Sequence, residues 1–370
     1  MKRVLFLTNY PSPYRVDFFN QLGRSVDLTV LFTAEVSEQK HRDRAWFNEN
    51  YSGFHAVFLM NSITIRGKRL CLGVLDYLKQ EWDVIISGGY SDPTQMLAFE
   101  WMNLHHIPFY MESDGGFIKR DGVLKRKFKQ HYISMPDGWF SSGRNTDQYL
   151  IHYGAREDKI IHYPFTSIWA SEIEEARLAA KTNKLAIREE LGIQDQYVVL
   201  AVGRFIRLKG FEVLIQSAAA LPQNIGVYIV GGEPTEEYLS LCKQYGVNNV
   251  HFIGFKPKEE LKKYYLAANV FAMPTQRDVW GLVINEALSY GLPVVSSDQC
   301  GAALELIENG KNGYIVPVND HVAMADAITR ALKNEEMLTA DAFDSIAEYS
   351  IENMVKAHLN AFTGKHLFGE

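Results

Sequence analysis

The chain has 370 residues, 47% of them apolar and 22% charged, which excludes a disordered chain and predicts two domains with substantial cores. Lys plus Arg total 38 against 44 Asp plus Glu, a formal net charge of −6, so no global basic excess points to nucleic acid as the partner. Cys71, Cys242 and Cys300 are odd in number and far apart; they suggest neither a disulfide framework nor a zinc site and fit a reducing cytosol.

The opening apolar run, Val4–Leu7, is too short for a signal peptide, and Asn9, Arg15 and Asp17 follow at once. No apolar stretch approaches the length that spans a membrane. Val4–Thr8 reads as a strand, then a helix near Tyr14–Leu22 and a strand at Leu28–Phe32. Buried strands follow at Val84–Ser87, Phe109–Met111 and Gly138–Ser141, with helices near Gly73–Gln80, Thr94–Asn103 and Leu124–Tyr132. Near-continuous apolar strands alternating with helices predict a parallel sheet covered on both faces.

The pattern breaks at Glu172–Lys184, which is rich in Ala, Glu and Lys and reads as a connecting helix or linker. A second series has strands at Tyr197–Val202, Gly226–Val230, Val250–Ile253, Val270–Met273 and Pro293–Ser296. Its helices fall near Gly210–Leu221, Thr235–Tyr245, Glu259–Ala268, Gly281–Tyr290 and Val322–Leu332. The expected fold class is therefore α/β: two Rossmann-like, doubly wound domains at residues 1–170 and 196–350, joined by a linker at 171–195. The tail, 351–370, reads as a helix that packs back on the first domain. Such sheets bind ligands at the carboxyl ends of their strands, and a cleft between two of them is the expected site.

Two strand-end loops carry the chemistry. Gly203-Arg204-Phe205-Ile206-Arg207-Leu208-Lys209-Gly210 puts Arg204 and Lys209 on one loop, a pairing that suits a diphosphate or, equally, a solvated basic loop. Arg207 reads as the bystander, and no GxxxxGK[ST] P-loop is present. The second loop runs from Pro274 through Asp278, Trp280 and Gly281 to Glu286. Gly281 lets a ligand approach the backbone, and the N–H groups of Gly281, Leu282 and Val283 open a helix as an anion site. Glu286 lies over one turn into that helix, where a carboxylate can accept from two vicinal hydroxyls such as those of a ribose. Spacing alone leaves open whether Asp278 and Glu286 bind a ligand or are a helix-start carboxylate and a paired surface residue. Gly231-Gly232-Glu233 and Ile253-Gly254-Phe255 are further strand-end loops, read either as tight turns or as a cleft lining in which the backbone near Ile253 and Phe255 meets a base edge.

The run GRFIRLKG, IVGGEP, VHFIGF, PTQRDVWGLVINEALSYGLPVV and GAALELIENGKNGYIV, in that order, resembles the donor-binding domain of the family 4 glycosyltransferases of GT-B fold. The opening LTNYPSPYRVDFF is similar to the first strand and loop of the same enzymes. The resemblance implies retaining transfer of a sugar from a nucleotide-diphosphate donor, most often a UDP-sugar. It matches Arg204 and Lys209 to the diphosphate-binding pair and Glu286 to the second glutamate of the E-x7-E motif, which holds the ribose. The first glutamate of that motif falls on Asp278, one methylene shorter by about 1.5 Å. In this family fixed cations and helix N–H groups take the place of a metal, and the leaving phosphate takes the acceptor's proton on the same face. No cofactor, metal or protein nucleophile is then expected.

The first domain is left to hold a glycan or lipid-linked acceptor. Family members often carry a His in its strand-end loops; here they read Gly88-Gly89-Tyr90-Ser91-Asp92 and Glu112-Ser113-Asp114-Gly115-Gly116, with none. Glu112 and Asp114 are the candidates for acceptor or sugar contact, with Tyr90 behind them, against a structural or capping role. Arg15 reads either as a contact to an acceptor phosphate or as a first-turn surface residue. His105 and His106 end a helix and read as its cap.

Lys119, Arg120, Lys125, Arg126, Lys127 and Lys129 cluster beside Leu124, Phe128 and Tyr132, which share a helical face. That helix either packs its stripe on the sheet or is drawn to an anionic membrane surface, each cation near such a surface contributing about 1 kcal/mol. The combined expectation is a cytoplasmic enzyme of polysaccharide biosynthesis, peripheral on the inner face of the cell membrane. The rival readings are a nucleotide-sugar epimerase of the same shape and a non-catalytic nucleotide-binding partner subunit.

Overall fold

In the computed structural model, residues 1–34, 50–60, 62–65, 67–180 and 184–363 are described. The expected tail therefore lies outside the described residues from 364 on, as do residues 181–183 of the expected linker. The chain forms two compact units, one of Met1–Ser167 with Ser350–Glu370 and the other of Ile168–Tyr349.

The strands of the first unit are β1 (Arg3–Thr8), β2 (Asp27–Phe32), β3 (His55–Phe58), β4 (Ser62–Ile65), β5 (Lys68–Cys71), β6 (Val84–Ser87), β7 (Tyr110–Ser113), β8 (Gly138–Ser141) and β9 (Ile160–His162). Seven form one sheet in the order β3-β2-β1-β6-β7-β8-β9, every pairing parallel. The other two form an antiparallel hairpin, β4-β5. The second unit has β10 (Tyr197–Val202), β11 (Ile225–Val230), β12 (Val250–Ile253), β13 (Val270–Met273), β14 (Val294–Ser297) and β15 (Gly313–Val316). These form a parallel sheet in the order β12-β11-β10-β13-β14-β15.

Apart from Arg3 and Thr8 at the ends of β1, both central strands are apolar, and they are buried along nearly their whole length, because helices cover both faces of each sheet. Val199, Ala201, Phe211, Leu214 and Val227 centre the second core; Leu5, Leu7, Phe99, Phe109 and Trp139 centre the first. Each fully buried large apolar side chain contributes about 1.5–3 kcal/mol. In each sheet the chain order reverses beside the first strand, between β1 and β6 and between β10 and β13. These are the switch points where the carboxyl ends of doubly wound strands leave a crevice.

Several local expectations differ from the structure. The segment read as a connecting helix or linker is helical, as Ala170–Ala179 and Lys184–Leu191, and belongs to the second unit. The reason is Arg188, which is buried and donates to the Ala267 carbonyl at 2.9 Å, the Gln196 carbonyl at 2.7 Å and Asn269 Oδ1 at 2.6 Å. A charged side chain satisfied in this way fixes its helix to the sheet. The strands β3, β9 and β15, of only three or four residues each, and the helix Glu335–Ile346 have no counterpart in the sequence reading. The last helix, Ile351–Thr363, packs on Pro13–Leu22 in the first unit.

Candidate functional site

In the second unit, the loop after β10 is pinned from below and from the side. Phe205 turns inward, with ring centroids 5.6 Å from Phe211, 5.9 Å from Tyr238 and 5.8 Å from Phe252. Gly210 adopts a left-handed φ of +67°, and a Cβ there would lie 2.2 Å from the Pro274 carbonyl oxygen, so only glycine fits. That contact brings the loop after β13 alongside. Leu208's carbonyl accepts from Gln276 N at 2.9 Å and from Thr275 Oγ1 at 2.7 Å, and Gln276 Nε2 donates to Glu212 at 2.7 Å.

These stitches bring Lys209 and Asp278 into an ion pair at 2.6 Å, both side chains about one-fifth exposed. Arg204 and Arg207 stand exposed on the same loop. Gly281 opens the helix Leu282–Ser289 with φ +96°, and a Cβ there would lie 2.6 Å from Cys300 Sγ. The N–H groups of the first turn precede the intrahelical bonds and point out of the helix start. Glu286, half-buried on this helix, accepts from the buried Tyr265 hydroxyl at 2.8 Å. Tyr265 stacks on Tyr290 at 5.2 Å, and burial followed by the Glu286 charge raises its hydroxyl well above the ordinary range. Sequence reasoning missed Tyr265, which is 21 residues from Glu286 on a different helix.

The other expected residues separate. Trp280 is buried, and its Nε1 donates to Asn285 Oδ1 at 2.9 Å, so its indole serves the loop from inside. Gly203 N donates to the Val230 carbonyl at 2.9 Å, tying the β10 end to the β11 end. The Ile253 carbonyl accepts from Gly231 at 3.0 Å and from Gly232 at 3.4 Å, so it is engaged in the turn. Phe255 keeps an exposed ring.

The first unit places its candidates differently. Arg15 lies in the first turn of Pro13–Leu22 and is buried, which removes the surface reading. Its guanidinium is paired with Glu112 and Asp114, because both carboxylates project from the carboxyl end of β7 beside it. Glu112 is fully buried and faces this network; its Oε2 lies 2.8 Å from Nε2 of His358. Burial by itself would raise the Glu112 carboxyl, but Arg15 and then His358 outweigh it and hold it down to about 2. Asp114 keeps 30% exposure and accepts from the Tyr163 hydroxyl at 3.0 Å. Burial, against the pull of Arg15, raises its carboxyl above the ordinary range.

Tyr90 is half-buried, stacked on Tyr132 at 5.6 Å and 3.3 Å from the Tyr149 hydroxyl. Asp92 caps the helix Pro93–Leu104 by accepting from Gln95 N at 2.9 Å. In the basic helix, Val123–Ile133, only Tyr132 of the expected stripe is buried; Phe128 is 45% exposed and Leu124 85%. The stripe therefore packs only at its C-terminal turn. No helix among the described residues is long and apolar enough to cross a membrane.

Residues 183–345 match the model of the family described as glycosyl transferases group 1. The chain is similar in structure to Anabaena HepE in complex with UDP and glucose, with a TM-score of 0.73, 17% identity, and coverage of 98% of this chain and 100% of that one. The fold is GT-B. The family match covers less than half of this chain, and the structural match shows the fold. A D-inositol 3-phosphate glycosyltransferase of Corynebacterium urealyticum is 36% identical over 185 residues, 46% of this chain and 43% of that protein. The capsular polysaccharide biosynthesis glycosyltransferase CapM of Staphylococcus aureus is 29% identical over 192 residues, 50% of this chain and 48% of that protein. The chain thus spans about half the length of these curated relatives. The epimerase and partner-subunit readings gain nothing from these matches.

Proposed function

We propose that this GT-B protein is a retaining glycosyltransferase that moves a sugar from a nucleotide-diphosphate donor, a UDP-sugar, to a glycan or lipid-linked acceptor in polysaccharide biosynthesis. The observation that carries the reading is the juxtaposition of Lys209 and Asp278, 2.6 Å apart, across two stitched strand-end loops at the β10/β13 switch point. A diphosphate arriving there meets Lys209, the exposed Arg204 and the first-turn N–H groups of Gly281, Leu282 and Val283. Preorganised charge of this kind stabilises a departing nucleoside diphosphate without a metal. Asp278, in contact with Lys209, is then the carboxylate that meets the sugar, and Glu286, aimed by Tyr265, accepts from the ribose hydroxyls. The UDP complexes of HepE support UDP as the nucleotide. The leaving phosphate takes the acceptor's proton on the face from which it departs, which retains the anomeric configuration. The test is UDP-sugar turnover by Asp278→Ala and Glu286→Ala. Each loses turnover if the assignment is right, and undiminished turnover by both folded variants overturns it.

The acceptor side belongs to the first unit, with Asp114 as its partly exposed carboxylate and Tyr90 nearby. An anionic membrane surface is the second partner in this reading. Val123 and Leu124, 72% and 85% exposed, sit beside Lys125, Arg126 and Lys127 at the start of one helix. Apolar side chains inserting among lipid chains and cations facing the headgroups would hold the enzyme near a lipid-linked acceptor. Co-sedimentation with phosphatidylserine vesicles tests it: neutralising residues 125, 126 and 127 abolishes binding if the helix docks, and leaves it unchanged if it does not.

A further inference from the structure

The first unit contains one buried ionic network that donor binding does not use. It begins on the last helix. His358 is fully buried, with its ring centroid 4.3 Å from Phe140, 4.8 Å from Phe18 and 5.2 Å from Tyr163. Its two nitrogens face oxygens on opposite sides: Nδ1 is 2.8 Å from the Met354 carbonyl and Nε2 is 2.8 Å from Glu112 Oε2. A carbonyl only accepts, so Nδ1 donates. Glu112 is paired with Arg15 as a carboxylate, which also only accepts, so Nε2 donates as well. A ring donating from both nitrogens is the imidazolium.

The network is then balanced. Arg15 and His358 supply two positive charges; Glu112 and Asp114 supply two negative ones. Arg15 divides its guanidinium, Nη1 to Glu112 and Nη2 to Asp114. His358 shares the charge of Glu112 from the other side, which leaves the second arm of Arg15 to Asp114. Asp114 is the only acid of the pair that reaches solvent. It is faced by Arg15 and Tyr14 from the first helix, Glu112 from β7, Tyr163 after β9 and His358 from the last helix. Both ends of the chain thus meet beneath one strand-end carboxylate.

We propose that His358 is a positioning residue for Asp114, acting through Glu112 and Arg15, so that the C-terminal helix sets the charge and aim of the carboxylate presented to the acceptor hydroxyl. The acceptor role rests on the glycosyl-transfer reading above; the coupling of His358 to Asp114 does not. Without the imidazolium, Glu112 takes a larger share of Arg15, and the partly exposed Asp114 is left beside a carboxylate with less compensation.

The test uses the full-length protein with ¹³C-labelled carboxyl groups, the Asp114 resonance being assigned by its loss in Asp114→Asn. In His358→Gln the Asp114 titration midpoint rises by about one pH unit or more. Adding His358→Gln to Glu112→Gln moves it less than His358→Gln moves it in the wild type, because most of the path runs through Glu112. An unmoved midpoint in His358→Gln overturns the proposal. Should that variant not fold, ¹⁵N resonances of the wild-type imidazole decide: two protonated nitrogens at neutral pH support the network, and one bare nitrogen sinks it. UDP titrated into the same proteins separates the two readings. Unaltered UDP binding with an unmoved Asp114 defeats this inference alone, whereas a wild-type protein that binds no UDP defeats the glycosyl-transfer reading and leaves the carboxyl titration to stand by itself.

Discussion

The two units use one topology to build opposite kinds of strand-end site. At the β10/β13 end the charges are few and partly exposed: Lys209 with Asp278, Arg204 beside them, and Glu286 held by Tyr265. At the β1/β7 end they are crowded, and all but Asp114 are deeply buried, with Arg15 between two carboxylates and His358 behind one of them. A partly hydrated cation can exchange its carboxylate partner for a phosphate at small cost. A buried and balanced network cannot lose a member without stranding a charge. The same fold therefore carries exchangeable charges on one unit and a fixed network on the other.

That contrast can be broken from its stiff side first. Glu112→Gln leaves Arg15 and His358 facing one another without the carboxylate between them. Removing one member of such a buried set costs about 3–5 kcal/mol, read as a fall in denaturant midpoint at neutral pH. The pH dependence has a definite sign. Glu112 is held down to about 2 against an ordinary value of 4.5, so its stabilisation is fully present above 4.5 and lost as pH falls toward 2. The gap between wild type and variant should close across that window; a gap constant from pH 7 to pH 2 would contradict it. Asp114 opposes this trend: its raised carboxyl favours the fold while protonated and forfeits that contribution as pH rises through its folded value.

The open side gives smaller effects. Lys209→Ala removes one charge-assisted contact to a diphosphate, about 1.5–3 kcal/mol, or 10- to 150-fold in the calorimetric Kd for UDP. Gly281→Ala forces a side chain into a left-handed position against Cys300. That costs about 2 kcal/mol, seen as a lower Tm together with weaker UDP binding. Tyr265→Phe deletes the hydroxyl that Glu286 accepts from; about 1 kcal/mol of donor affinity should go with it, while Tm hardly changes because the ring stack on Tyr290 survives. A Tyr265→Phe effect as large as that of Lys209→Ala would mean that Glu286, not the cation, dominates the donor site.

How much was legible in the sequence follows from distance along the chain. The candidate donor-side loops are local: Gly203–Gly210 and Pro274–Glu286 each lie within one strand-to-helix connection, so residue types at fixed spacing pick out the candidates and leave their ligand open. The apolar runs of the two central strands announced the doubly wound sheets in the same way. His358 lies 246 residues from Glu112, and its helix reads as an apolar seam of Ile351, Met354, Val355 and Phe362 with one imidazole inside it. A lone polar residue in such a seam is the only sequence signal, and nothing local names its partner. The burial of Arg15 was hidden for a related reason. An arginine in a first turn looks solvent-facing until β7 places two carboxylates beneath it. Arg188 repeats the lesson, since the carbonyls it satisfies belong to residues 196 and 267.

Calorimetric titration of UDP into the full-length protein in EDTA tests the central claim most directly. The account predicts saturable binding that is unchanged when magnesium or manganese replaces the chelator, and weakened at least tenfold in Lys209→Ala. Heat of binding that appears only after a divalent ion is restored, or an affinity indifferent to Lys209, would contradict it.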